Sequence, residues 1–145
     1  KNDYIKLKKF GFEDLEILDL YAGVGTLGLE AISRGACRAI FVEKDRHVYR
    51  ILQKNITLFD SDKITVFCED VNQYISRYEG DKFDIIFADP PYRLTNYSFL
   101  REKVQRMLKP GGIFCMEMKK QAIEESYSRI KYYGNTQVVL WENKK

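Results

Sequence analysis

Between Leu15 and Arg34 an apolar run, LEILDLY, passes through a turn with glycines at positions 23, 25 and 28 into a segment whose apolar residues Leu27, Leu29, Ala31 and Ile32 fall on one helical face. G-x-G-x-x-G in that setting, after a strand and opening a helix, is the signature of a βα unit that binds a nucleotide-like ligand at the carboxyl end of its strand. Glycine suits the turn for two reasons. The backbone needs angles that other residues rarely adopt, and a side chain would stand between the backbone and the ligand.

The same alternation continues along the chain. After the helix over Thr26 to Arg34, stopped by Gly35, Arg38 to Val42 reads as a second strand, and Asp45 caps a helix with apolar Val48, Ile51, Leu52, Ile56 and Phe59. Lys63 to Cys68 predicts a third strand and Val71 to Tyr78 a short helix, with Gly80-Asp81 as the turn before Phe83 to Ala88. That fourth strand is almost wholly apolar, as a central parallel strand covered on both faces must be. Leu100, Val104, Met107 and Leu108 predict one helix ended by Pro110-Gly111-Gly112, and Ile113 to Met118 a fifth strand. Ser128 to Tyr133 and Thr136 to Trp141 flank Gly134-Asn135, which predicts an antiparallel hairpin on the edge of a doubly wound α/β sheet.

At 145 residues the chain predicts one domain over 1–145, burying roughly 69% of its unfolded surface without need of disulfides or metal. With 45% hydrophobic and 31% charged residues it is far from disordered compositions. No apolar run approaches the roughly 18 residues of a membrane helix, and no signal sequence opens the chain, so a soluble cytoplasmic protein is expected. Cys37, Cys68 and Cys115 lack C-x-x-C spacing and His47 is alone; buried free thiols and no metal site are expected. The net charge of +3 permits a nucleic-acid partner without requiring one. Lys1, Lys6, Lys8 and Lys9 make a basic start, and Arg93, Arg101, Lys103 and Arg106 are expected near the reacting group, where they would meet phosphates. The only methionines are Met107, Met116 and Met118, so a segment preceding Lys1 is expected.

Four carboxylates carry the chemical reading. Glu43 ends the second strand, placed to accept from the two hydroxyls of an adenosine ribose. The glycine loop and Glu43 alone suit NAD and S-adenosylmethionine equally. Asp19, four residues before the first glycine, favours the second, whose ammonium and sulfonium suit a carboxylate that would repel a pyrophosphate. Asp70 ends the third strand, where it reads either as a helix cap or as an acceptor for an adenine amino group. Asp89-Pro90-Pro91-Tyr92 directly follows the fourth strand. Methylating an exocyclic amine of a base is hard because the nitrogen lone pair is delocalised into the ring. Asp89 and the Pro90 carbonyl can both accept from that NH2 and stabilise positive charge as the new bond forms, while two prolines hold the carbonyl in place. Tyr92 offers a flat face to an unstacked base.

On these residues the chain resembles the RsmD-type bacterial 16S rRNA guanine-N2 methyltransferases. Where that family reads DLFAGSGALGLEALSRGA, Asp19 to Ala36 reads DLYAGVGTLGLEAISRGA, departing at Tyr21, Val24, Thr26 and Ile32. The likeness extends through Phe41-Val42-Glu43, Asn55, Asp70, Phe83-Asp84 and the Asp-Pro-Pro-Tyr turn to Tyr133-Gly134-Asn135-Thr136. The resemblance implies a Rossmann-like class I methyltransferase fold, with a seven-stranded, mostly parallel sheet and a C-terminal antiparallel hairpin. It implies a monomer that takes S-adenosylmethionine and acts on ribosomal RNA or a small-subunit assembly particle. Asp19, Ala22, Gly23, Gly25, Gly28 and Glu43 would hold the cofactor, Asp70 and Val71 its adenine, and Asp89, Pro90, Pro91 and Tyr92 would be catalytic. It also implies a basic N-terminal extension before the first strand. An adenine-N6 methyltransferase of DNA or RNA uses a similar turn, and a non-catalytic RNA-binding module could keep the same cofactor fold. A glutamine methyltransferase would begin the turn with Asn.

Overall fold

Consecutive apolar residues, as opposed to alternating ones, build β1 (Glu16–Leu20), β2 (Arg38–Val42) and β4 (Phe83–Ala88), and such strands need cover on both faces. In the computed structural model, which describes residues 13–59, 61–91 and 96–144, these strands are buried beyond their first residues, apart from a half-buried Asp84 in β4. The remaining elements are α1 (Thr26–Ser33), α2 (Arg46–Ile56), β3 (Ile64–Phe67), α3 (Val71–Arg77), α4 (Tyr97–Gln105), β5 (Leu108–Lys119), β6 (Arg129–Tyr133) and β7 (Thr136–Glu142). Seven strands lie in the order β3-β2-β1-β4-β5-β7-β6. The first five run parallel, and β7 lies antiparallel between β5 and β6.

Each face of the sheet has its own apolar layer. Leu18, Leu20, Val42 and Ile86 pack with Tyr74 of α3, Val104 of α4 and Trp141 of β7. Ile17, Phe41 and Phe87 pack with Leu29 of α1 and Leu52 of α2. Strand order reverses direction between β1 and β4, and this switch point opens a crevice at their carboxyl ends. At the opposite, amino edge the Glu16 carboxylate pairs with Arg38 at 2.7 Å and Lys109 at 2.9 Å, while Asp84 Oδ2 accepts from the Lys109 ammonium at 3.0 Å and the Glu16 amide at 2.8 Å. Four strands are thereby tied together well away from the crevice.

One element differs from the sequence reading. α4 ends at Gln105, Leu108 opens β5 opposite Phe83, and Pro110-Gly111-Gly112 lies inside that strand, not at a helix stop. The register of β4 on β5 shifts between Phe83 and Ile85, and a Cβ on Gly112 would stand 2.9 Å from the Lys109 carbonyl and 3.1 Å from those of Phe83 and Asp84. The glycine therefore serves close backbone approach at a bulge. Asn143 seals this bulge: its backbone pairs with Gly111 and Gly112, and its Nδ2 donates to the carbonyls of Leu108 and Lys109. The thiols also depart from expectation, for Cys115 is buried but Cys37 is exposed and Cys68 half-buried.

Candidate functional site

A cavity of about 330 Å³ opens at the switch point, lined by Tyr21, Glu43, Lys44, Asp45, Asp70, Val71, Asp89 and Pro91. Each lining group arrives from the carboxyl end of a parallel strand. Tyr21 follows β1, Glu43 to Asp45 follow β2, Asp70 and Val71 follow β3, and Asp89 with Pro91 follows β4.

The loop after β1 is held from three sides. The Ala22 amide donates to the Val42 carbonyl at 3.0 Å, the Gly23 amide to Glu43 Oε1 at 2.8 Å, and Asn55 of α2 donates to the Val24 carbonyl at 2.8 Å. Gly23 has φ +60, and no atom lies within 4 Å of where its Cβ would stand, so the loop presents bare backbone to open space there. Gly25 and Gly28 are small for another reason. Cβ atoms at these positions would come within 2.5 Å of Leu52 and 2.3 Å of Phe41, so both glycines let α1 settle on the core.

Glu43 takes a second amide hydrogen, from Asp45 at 2.9 Å, on Oε2. Each carboxylate oxygen retains a further lone pair for a hydroxyl donor. Asp70 caps α3, its Oδ2 accepting from the amides of Asn72 at 3.0 Å and Gln73 at 3.3 Å, while the residue also lines the cavity. Both sequence readings of Asp70 are thus geometrically compatible. The Asp89 amide meets the Leu20 carbonyl at 3.5 Å, which seats the turn after β4 against the end of β1; Pro90 is buried and Pro91 exposed. Tyr92 and Arg93 lie outside the described residues, as do Lys1, Lys6, Lys8 and Lys9.

Asp19 sits beneath the cavity and does not line it. It is 3% exposed, accepts from the Gly28 amide at 3.0 Å, and has its carboxyl pKa pushed up to about 8. Burial is the chief cause, opposed by the Gly28 hydrogen bond and reinforced by the negative charges of Asp89 and Glu43. Those two carboxylates therefore share one local field with Asp19.

Sequence reasoning missed Tyr21, Lys44 and Asp45 as lining residues. Tyr21 holds φ +57, uncommon for so bulky a residue, and burial together with the charge of Asp70 raises its phenol so that it stays protonated. The one available signal was its place immediately after β1 at the switch point. Of the basic residues expected near the reacting group, the described ones, Arg101, Lys103 and Arg106, are not gathered at the crevice. α4 runs back toward the amino edge, where Lys103 and Arg106 line a separate cavity with Lys82, and Arg101 lies 5.6 Å over the Trp141 ring.

Residues 4–142 match the family model described as conserved hypothetical protein 95. The chain belongs to this family, the RsmD type. Ribosomal RNA small subunit methyltransferase D of Escherichia coli K12 is 38% identical over 80 residues, which are 55% of this chain and 40% of that protein. The match therefore spans less than half of that relative's length. A conserved hypothetical protein of Streptococcus pyogenes superposes with a TM-score of 0.88 at 26% identity, over 98% of this chain and 93% of its own. An RNA methyltransferase of Salinibacter ruber, solved with S-adenosyl-L-homocysteine, gives a TM-score of 0.75 over 97% of this chain and 88% of its own. At 14% identity that likeness speaks for fold alone. The fold of this family member is the Rossmann-like class I methyltransferase arrangement, with an antiparallel strand pair at its C-terminal edge.

Proposed function

We propose that this chain is the catalytic domain of an S-adenosylmethionine-dependent methyltransferase acting on the N2 amine of a guanine in 16S ribosomal RNA. The observation that carries the reading is the convergence of Glu43, Asp70 and Asp89 on one cavity, beside a glycine loop whose Gly23 faces open space. This set of acceptors suits a ligand with ribose hydroxyls, an amino-bearing base and positive charge. With carboxylates 43, 45, 70 and 89 round the mouth and Lys44 the one lining cation among the described residues, it suits a pyrophosphate poorly. The name of the E. coli relative agrees with a methyl transfer to ribosomal RNA.

When bound, the cofactor supplies an electrophilic methyl group on a sulfonium. The chain's own residues do the rest. Glu43 receives the ribose hydroxyls on lone pairs not used by Gly23 and Asp45, and Asp70 with Val71 takes the adenine. Asp89 and the Pro90 carbonyl would accept from the two N–H bonds of the target amine and so localise its lone pair on nitrogen. Asp89 would also stabilise the positive charge that a methylated nitrogen carries until its proton leaves to solvent. Tyr92 gives the base a face to stack on.

Nucleosides from ribosomal RNA treated with the protein and labelled S-adenosylmethionine test the reading by mass spectrometry. Labelled N2-methylguanosine is the expected product. Labelled N6-methyladenosine would move the target to adenine, and no label in any nucleoside would overturn RNA as substrate.

A further inference from the structure

The cavity mouth carries Asp45, Asp70 and Asp89, which repel the phosphates of any RNA brought to it. Among the described residues Lys44 is the one cation that lines the cavity, and the cations of α4 lie toward the other end of the sheet.

The strand register shows what else stands on that edge. Ala88 pairs with Met116, and β5 continues three residues farther to Lys119, about 10 Å beyond the end of β4. Lys119 pairs with Thr136 and Thr136 with Tyr133, so the tip of the β6–β7 hairpin stands on the same carboxyl edge of the sheet, with β6 three strand spacings or about 14 Å from β4. The Lys120 amide fastens the tip by donating to the Asn135 carbonyl at 2.9 Å. Tyr132 and Tyr133 are 53% and 38% exposed, with the Lys120 ammonium 5.1 Å from the first ring and that of Lys131 5.6 Å from the second. Lysine protects an edge strand from pairing with other chains, which accounts for Lys131. Tyr132 and Tyr133, successive residues of β6, stand on opposite faces of this edge strand, the first beside Lys120 and the second beside Lys131, and that protection does not explain two exposed rings here. Of the nearby acids, Glu125 is turned to the Tyr97 hydroxyl at 2.8 Å.

We propose that the hairpin tip, with Tyr132, Tyr133, Lys119 and Lys120, is a second RNA-binding surface that holds the single strand flanking the target nucleotide. A strand crossing the exposed edge of β6 stacks a base on the tyrosine of each face while its phosphates meet the lysines, the combination that binds single strands with little sequence preference. This rests on the proposed action on RNA, and it gives Tyr133-Gly134-Asn135-Thr136 a role that the methyl-transfer site does not.

The test is binding of a fluorescent single-stranded oligouridine across a salt series. Removing each stack with Tyr132→Ala or Tyr133→Ala is expected to weaken binding about 5- to 150-fold, while Phe at both positions binds as wild type. Lys119→Gln and Lys120→Gln are each expected to make the dependence of log affinity on log salt shallower, by about 0.7 for each phosphate that is no longer neutralised. S-adenosylhomocysteine binding, unchanged in all variants, confirms that they fold. Wild-type affinity and slope in the Ala and Gln variants would overturn the proposal and leave the methyltransferase reading standing. A wild-type protein that does not bind the oligouridine would likewise overturn the proposal, whereas the methyltransferase reading fails only on the nucleoside labelling.

Discussion

The Gly28 amide donates a 3.0 Å hydrogen bond to Asp19 Oδ2, fastening the first turn of α1 to the buried end of β1. At this point the helix lies so close to the sheet that a Cβ on residue 28 would stand 2.3 Å from the Phe41 ring and 3.1 Å from that same carboxylate oxygen. A motif that reads in the sequence as a ligand cradle is, at this glycine, a packing joint.

Gly28→Ala is therefore expected to destabilise the fold by about 1–3 kcal/mol through overpacking. Urea unfolding should show a lower midpoint with an unchanged slope. Because the clash is with one ring, Phe41→Leu in the same chain should recover part of the loss, a coupling that additive effects would not produce.

Asp19 predicts a pH dependence. Its folded value of about 8 lies above the ordinary carboxyl value of 3.8, so between those limits the folded protein keeps a proton that the unfolded chain has released. The associated stability is fully present below about pH 4 and is lost as pH rises through about 8, at about 1.4 kcal/mol per pH unit. Asn at position 19 cannot ionise. The difference in unfolding free energy between Asp19→Asn and wild type should therefore shift in favour of the variant across that window, and a flat difference would remove Asp19 as the titrating group.

Glu43 bonds both flanking loops as well as lining the cavity. Glu43→Ala is expected to weaken S-adenosylhomocysteine by about 1.5–3 kcal/mol, the range for hydrogen bonds to a charged group. Calorimetry with that ligand and with NAD measures this, with heat from the adenosyl ligand alone expected.

Asp89 is assigned to the acceptor amine, so Asp89→Ala should abolish single-turnover methylation and leave cofactor affinity within about 0.5 kcal/mol of wild type. Equal losses in both measurements would place Asp89 on the cofactor instead.

Runs of mostly apolar residues are enough to reveal β1, β2 and β4, because a strand covered on both faces admits a polar side chain only where it finds a partner, as Asp19 does at the Gly28 amide. Asp45 and Asp70 are legible as helix caps, since capping is satisfied within three residues of chain. The Asp-Pro-Pro turn is legible as a site because it follows the most apolar strand. Pro110-Gly111-Gly112 reads wrongly as a helix end because its reason is not local: only the carbonyls of Phe83 and Asp84, across the sheet, decide that the segment is a bulge. Tyr21 and Lys44 become lining residues only when β2, β1 and β4 are set side by side, and the α4 cations are removed from the crevice by the direction in which that helix returns. The chain alone determined which segments are strands and helices and which residues could do chemistry. Tertiary structure decided which of those residues share a cavity, because that depends on strand order and register, to which residues far apart in the chain contribute together.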